Sequence, residues 1–229
     1  MRTKTRFTAL VLASIACAGM LTAGGCRNRQ RSQSELELPQ QRLGDAVRLA
    51  EQAERAMQRG RRDEAIALYR QSIEASPDLA LAWHNLGVLL MEQHNYIDAV
   101  EAFKAAADLA PQDPRPYYMI GVAYDHQGWA EPSLSYFVRS LERSPNYVPA
   151  LRGAVRASKR LDMADRASLE RARRALAVDP DPAWRQIEQR EALRIEGVLK
   201  QESTRIELGG PIGAPQTSGT PTQQPPQDP

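Results

Sequence analysis

The stretch Trp83–Pro111, WHNLGVLLMEQHNYIDAVEAFKAAADLAP, decides the fold. Trp83, Leu86, Gly87 and Leu90 stand at i, i+3, i+4 and i+7, on one stripe of a helix. Ala99 and Phe103, four apart, share a face of a second helix, and Pro111 closes the unit. Moving the window 34 residues towards the C-terminus finds Tyr117, Ile120, Gly121, Tyr124, Ser133, Phe137 and Pro145. Moving it the same distance the other way finds Leu49, Ala53, Gly60, Ala65, Tyr69 and Pro77. A fixed period of this length marks a stacked repeat, in which each unit buries its apolar face only against its neighbours.

Three copies in register, with a W-x-x-L-G-x-x-Y, A-x-x-x-F, P pattern, resemble the tetratricopeptide (TPR) repeat. The resemblance implies an all-α, right-handed TPR solenoid of antiparallel helix pairs with a C-terminal capping helix. Full repeats are expected over 46–79, 80–113 and 114–147, and a divergent fourth over 148–181. In that fourth repeat Val155 replaces the glycine and Pro180 arrives one residue late. Residues 183–203, with Trp184, Ile187, Glu188, Glu191, Leu193, Ile195, Val198 and Leu199, form a more polar amphipathic helix suited to capping a 44–203 repeat domain. Gly87 and Gly121 each cost a helix interior about 1 kcal/mol by propensity, and their use is to let the paired helix approach. Asp113-Pro114 and Asp181-Pro182 read as helix starts.

Outside the repeats, residues 1–25 run from a cationic start (Arg2, Lys4, Arg6) through an apolar stretch to Ala23-Gly24-Gly25, the layout of a signal peptide. Cys26, directly after the small residues, is placed as in the lipobox of bacterial lipoproteins, with Ala23 where such boxes carry Leu. The resemblance makes Cys26 the lipidation site and the membrane a partner through that anchor. Cleavage at Ala16-Cys17-Ala18, leaving a soluble exported protein, is the alternative. With Arg27 following the cysteine, the expected location is the bacterial cell envelope, at the outer membrane facing the periplasm. Residues 26–43 are polar, contain Pro39 and lack a helical apolar period, which predicts a tether. Residues 204–229, rich in Pro, Gln and Thr, predict a disordered tail.

The net charge of +2 falls to −1 once residues 1–25 are removed, because they hold three cations and no acid. No general affinity for nucleic acid follows. Both cysteines, Cys17 and Cys26, are N-terminal, so no disulfide framework is available. His84, His94 and His126 show no metal-ligand spacing, and no nucleophile, P-loop or zinc-protease motif is present. No catalytic residue, metal or cofactor, and no small-molecule substrate, is therefore expected.

What remains is surface. In the TPR family, positions 2, 5, 9 and 12 of each repeat face a concave peptide-binding groove. Carried over, the resemblance nominates Leu81, His84, Val88 and Met91 in the second repeat. It nominates Arg115, Tyr118, Val122 and Asp125 in the third, and Arg152, Arg156 and Lys159 in the fourth. Glu54, Val88 and Val122 stand where chaperone-binding members carry the asparagines of a carboxylate clamp, so chaperone tails are not the expected ligand. Residues 148–178 hold eight cations against three acids, which predicts a groove that is apolar in its middle and cationic at its C-terminal end. The function this implies is a non-enzymatic adaptor binding a protein or peptide. The alternatives are a self-associating spacer and an accessory to an envelope enzyme working through His84, Asp125 and His126.

Overall fold

The computed structural model describes residues 22–208, with side chains from residue 40 onwards. The described residues form nine helices and no strand: α1 (Thr22–Gln58), α2 (Arg62–Ala75), α3 (Ala80–Glu92), α4 (Tyr96–Leu109), α5 (Pro114–His126), α6 (Ala130–Arg143), α7 (Val148–Arg160), α8 (Arg166–Val178) and α9 (Pro182–Glu207). The first helices α3, α5, α7 and α9 begin at residues 80, 114, 148 and 182, so the 34-residue period survives to the last helix. Helices α3, α5 and α7 each pack against the second helix of their own repeat and against that of the repeat before, and α9 packs against α8. Successive first helices also touch one another, α3 with α5, α5 with α7 and α7 with α9, while successive second helices are spread apart. The stack is therefore concave on the first-helix side.

The turn inside each repeat needs one left-handed residue, and these recur on the period too: Gly60 (φ 74°), His94 (φ 59°), Gly128 (φ 80°) and Asp162 (φ 51°). Two positions have glycine, which adopts this backbone freely, and two bear the strain of a side chain there. Asp113 and Asp181 cap α5 and α9 by accepting from the backbone N–H of Arg115 and Ala183, both at 2.9 Å, and a proline follows each cap.

The core is a ladder of second-helix aromatics. Tyr69, Phe103 and Phe137 are fully buried at one repeat position. A Cβ on Gly87 would stand 2.7 Å from the Phe103 ring, and a Cβ on Gly121 or Gly153 would stand 2.7 or 2.6 Å from the Phe137 ring. Phe137 is thus clamped between glycines of two successive first helices. Trp83 and Tyr117, the first-helix signature residues, are only half buried. The Trp83 indole N–H donates to the Pro77 carbonyl at 2.8 Å, and the Arg143 guanidinium lies over the Tyr117 ring at 4.2 Å.

In the fourth repeat, Ser168, Ala172 and Ala175 are buried 35 residues after Ser133, Phe137 and Ser140, so the extra residue that Pro180 announces enters in the lengthened α7–α8 turn, between the left-handed Asp162 and Ser168. The linker 179–181 is one residue shorter than 144–147 and returns α9 to the period. The repeat pattern fades here because Ala172 takes the aromatic position, and small residues carry little hydrophobic signal.

The stretch 26–43, expected as a tether, is helical, lying inside α1. Its Gln, Arg, Glu and Leu residues are strong helix formers, and a helix already nucleated by packing on α2 extends without needing an apolar stripe. Pro39 works against that run, since an interior proline lacks the helical N–H and crowds the carbonyl four residues before it, at a cost of about 3 kcal/mol. Residues 204–207, assigned to the tail, likewise complete α9. The rest of the signal-peptide and tail assignments, 1–21 and 209–229, and the Cys26 side chain lie outside the described residues. Among the described residues no helix is long and apolar enough to cross a membrane.

Two glycines test the clamp with opposite signs. Gly153→Ala should destabilise the protein by about 1–3 kcal/mol, because the clamped Phe137 ring cannot swing away. Gly197→Ala, with nothing within 4 Å of its added Cβ, should stabilise α9 by up to about 1 kcal/mol. Urea denaturation of both variants checks this, and equal signs would remove the clamp from the account.

Candidate functional site

The nominated groove residues all lie on first helices, and the structure sorts them into three groups. Val88 and Met91 on α3 are half buried against the core of the first repeats, and Tyr118 and Val122 on α5 against that of the later ones. Leu81, at the start of α3, is 51% exposed. Together these five give the concave face an apolar middle.

Aromatic contacts hold that middle in shape. Tyr118 packs at 5.8 Å from Phe137 and edge-on to Tyr147 at 5.6 Å, and burial pushes its hydroxyl pKa up. His84 leans on Phe103 with ring centroids 5.5 Å apart, and its Nδ1 is buried without a hydrogen-bond partner. Burial, assisted by the Arg115 charge, lowers its pKa, so His84 is a neutral packing residue in the groove wall.

The charged nominees are mostly committed to partners within the chain. Arg115 grips Asp113 through Nε (3.0 Å) and Nη2 (2.6 Å). Arg152 donates from Nε and Nη2 to the two oxygens of Asp179, both at 2.6 Å. Asp125 receives Arg160 at 2.9 Å and Arg156 at 3.6 Å. Lys159 is exposed. The cationic end expected from residues 148–178 is therefore corrected, since the eight charges do not form one field. Arg171 turns inward to Ser158 and Ser168, with burial lowering its pKa. Arg173 pairs with Glu196 and Arg174 with Glu170. Counting cations along the chain missed the acids that folding brings to them from α5 and from the α8–α9 linker.

Three groove residues escaped the sequence reading. Tyr147 stands beside Tyr118, Asp179 holds Arg152, and Trp184 lies under Arg152 and Arg156 at 4.9 and 5.8 Å. Trp184 was legible as the third residue of a helix that keeps the period. Asp179 and Tyr147 lie between helices, where the groove positions of the repeat do not reach.

His84, Asp125 and His126 do not meet. His126 is exposed and stacked on Tyr96 at 5.4 Å, Asp125 belongs to Arg160, and His84 sits against Phe103. Among the described residues no group of three or more His, Cys, Asp or Glu is arranged to hold a metal ion. On the opposite, second-helix side, a cleft of about 840 Å³ lies between α4 and α6, floored by Tyr117, Ile120 and Tyr124 on α5 and rimmed by Ile97, which is 71% exposed.

Comparison with known proteins agrees with this geometry. A tetratricopeptide repeat family model matches residues 50–114 and 84–147. Tetratricopeptide repeat protein 28 of Mus musculus is 28% identical over 136 residues, 59% of this chain, and that of Homo sapiens is 27% identical over 119 residues, 52% of this chain. The chain spans only 5% of the length of either relative. Among solved structures, the first TPR domain of Spaghetti (RPAP3), bound to the HSP90 peptide SRMEEVD, superposes with a TM-score of 0.50 at 22% identity, over 52% of this chain and 98% of that one. MamA from Desulfovibrio magneticus RS-1 superposes with a TM-score of 0.53 at 18% identity, over 67% of this chain and 92% of that one. The period, the clamped aromatic ladder and these matches agree: the fold is a tetratricopeptide-repeat solenoid, and residues 50–147 carry the repeat itself.

Proposed function

We propose that the protein is a non-enzymatic adaptor that binds a protein segment along its concave groove. The observation that carries this reading is the half-buried apolar middle formed by Val88, Met91, Tyr118 and Val122, held rigid by the aromatic contacts beneath it. Such a surface gives an amphipathic helix or extended peptide anchoring pockets without ordering cost on the receptor side. The RPAP3 domain, which shares this fold, is bound to a peptide. Its chaperone ligand does not transfer, because Glu54, Val88 and Val122 stand at the asparagine positions of the carboxylate clamp. With Arg115, Arg152 and Arg156 already facing carboxylates at 2.6–3.6 Å, the partner is recognised by apolar side chains more than by charge.

The signal-type segment ending at Cys26 supports placement in a bacterial envelope, lipid-anchored and facing the periplasm. In that setting the adaptor holds envelope proteins together at the membrane.

Met91→Glu combined with Tyr118→Glu should abolish capture of a partner from the native envelope, with the circular dichroism of the variant unchanged. A partner retained by the variant would move the binding surface to the α4–α6 cleft, and concentration-dependent sedimentation without any partner would favour a self-associating spacer. Because the groove arginines are internally paired, affinity should change only about twofold between low and roughly 0.5 M salt. Cys26→Ser should shift the protein from the membrane to the soluble fraction, since the lipid is the anchor in this reading; a variant that stays with the membrane would overturn it.

A further inference from the structure

Leu86, Ile120 and Ala154 occupy one core position of successive first helices, 34 residues apart, and the same position of α9 holds Glu188. Its side chain is 0% exposed, and neither carboxyl oxygen has a hydrogen-bond donor. A carboxylate removed from water without a donor is costly, whereas a protonated carboxyl is itself a donor and needs only an acceptor. The acceptor lying against it is Asp179, whose side chain is equally inaccessible. Asp179 already receives the Arg152 guanidinium at 2.6 Å twice over and the Asp181 backbone N–H at 2.9 Å.

These surroundings separate the two acids. The Arg152 hydrogen bonds hold Asp179 down to about 2, while burial and the Asp179 charge push Glu188 up to about 7. The charged groups facing Glu188 are Arg152 from α7, Asp179 from the α8–α9 linker and Arg185 on α9 itself. Arg152 is shared with Asp179 and reaches Asp181 at 3.8 Å. Of the α8 cations, Arg171, Arg173 and Arg174 are engaged with Ser158 and Ser168, Glu196 and Glu170, and Arg166 stands exposed at the start of the helix.

We propose that Glu188 and Asp179 form a one-proton latch that holds α9 on the fourth repeat while the pair carries a proton and loosens α9 when that proton leaves. Trp184, one turn before Glu188, lies under Arg152 and Arg156. Release of α9 therefore moves the wall at the C-terminal end of the concave face. Only the consequence for partner binding rests on the groove being the binding site; the latch does not.

The sign follows from linkage. Docked Glu188 binds a proton that undocked Glu188, at its ordinary value of 4.5, gives up. Its contribution to docking is full below 4.5 and is lost as pH rises through about 7. Asp179 acts oppositely, with a contribution present above 3.8 and lost as pH falls towards about 2. Between pH 6 and pH 8, α9 opening should become about tenfold more favourable and then level off.

Hydrogen exchange of the full chain, corrected for the chemical pH dependence of exchange, reads this directly in peptides covering 182–195. Protection there should fall about tenfold across that range while peptides of α3–α6 keep theirs. Glu188→Gln, neutral at every pH, should flatten the response. The ¹³C carboxyl titration of the unmodified protein needs no variant and should show one glutamate titrating near neutrality. A pH-independent α9, a response that survives Glu188→Gln, or glutamates that all titrate in the ordinary carboxylate range would overturn the latch.

Discussion

A ring pressed against a helix backbone is the constraint on which this structure depends. Phe103 on Gly87, and Phe137 between Gly121 and Gly153, bring first and second helices closer than any side chain would allow. The approach fixes the geometry within each repeat, and Phe137 carries it across to the next. Because the second and third repeats both make the contact, the stack curves the same way at both steps and places first helices on the inside. The groove is a consequence of that curvature, and its apolar middle consists of what first helices show once their core stripe is spent on the ladder.

Towards the C-terminus the means of attachment changes. Aromatic burial holds the second and third repeats, but α8 presents Ser168, Ala172 and Ala175 to the interior, and polar contacts take over. Arg152 ties α7 to the α8–α9 linker through Asp179. Arg194, gripped by Glu191 one turn earlier on α9, ties that helix back to the turn before α8 through Asp162 and the Met163 carbonyl. Hydrogen-bonded charges of this kind are directional and respond to protonation, which apolar contacts do not. The joint between the fourth repeat and α9 is thus the part of the solenoid that solution conditions can address.

The same ion pairs change what the concave face offers a partner. A face with eight unpaired cations would steer acidic ligands over long range. A face whose arginines already hold Asp113, Asp125 and Asp179 offers shape and apolar contact, with guanidiniums stacked on Trp184 as part of the wall. Binding to such a surface is decided by fit.

The repeats and their all-α stacking were legible in the sequence, because a 34-residue period in Trp83, Gly87, Phe103 and Pro111 is a local pattern that survives without knowledge of contacts. Even the extra residue of the fourth repeat showed, through Pro180. The helical state of 26–43 was not legible as such, since its polar residues lack the apolar period by which helices are recognised although their propensity favours one. Nor could the chain order reveal that Asp125 would meet Arg160, or that Asp179 would take Arg152 and leave Glu188 without a donor. Those pairings join residues 9–35 positions apart across helices, and only the tertiary fold, by setting which charges share a buried space, decides which of them remain available.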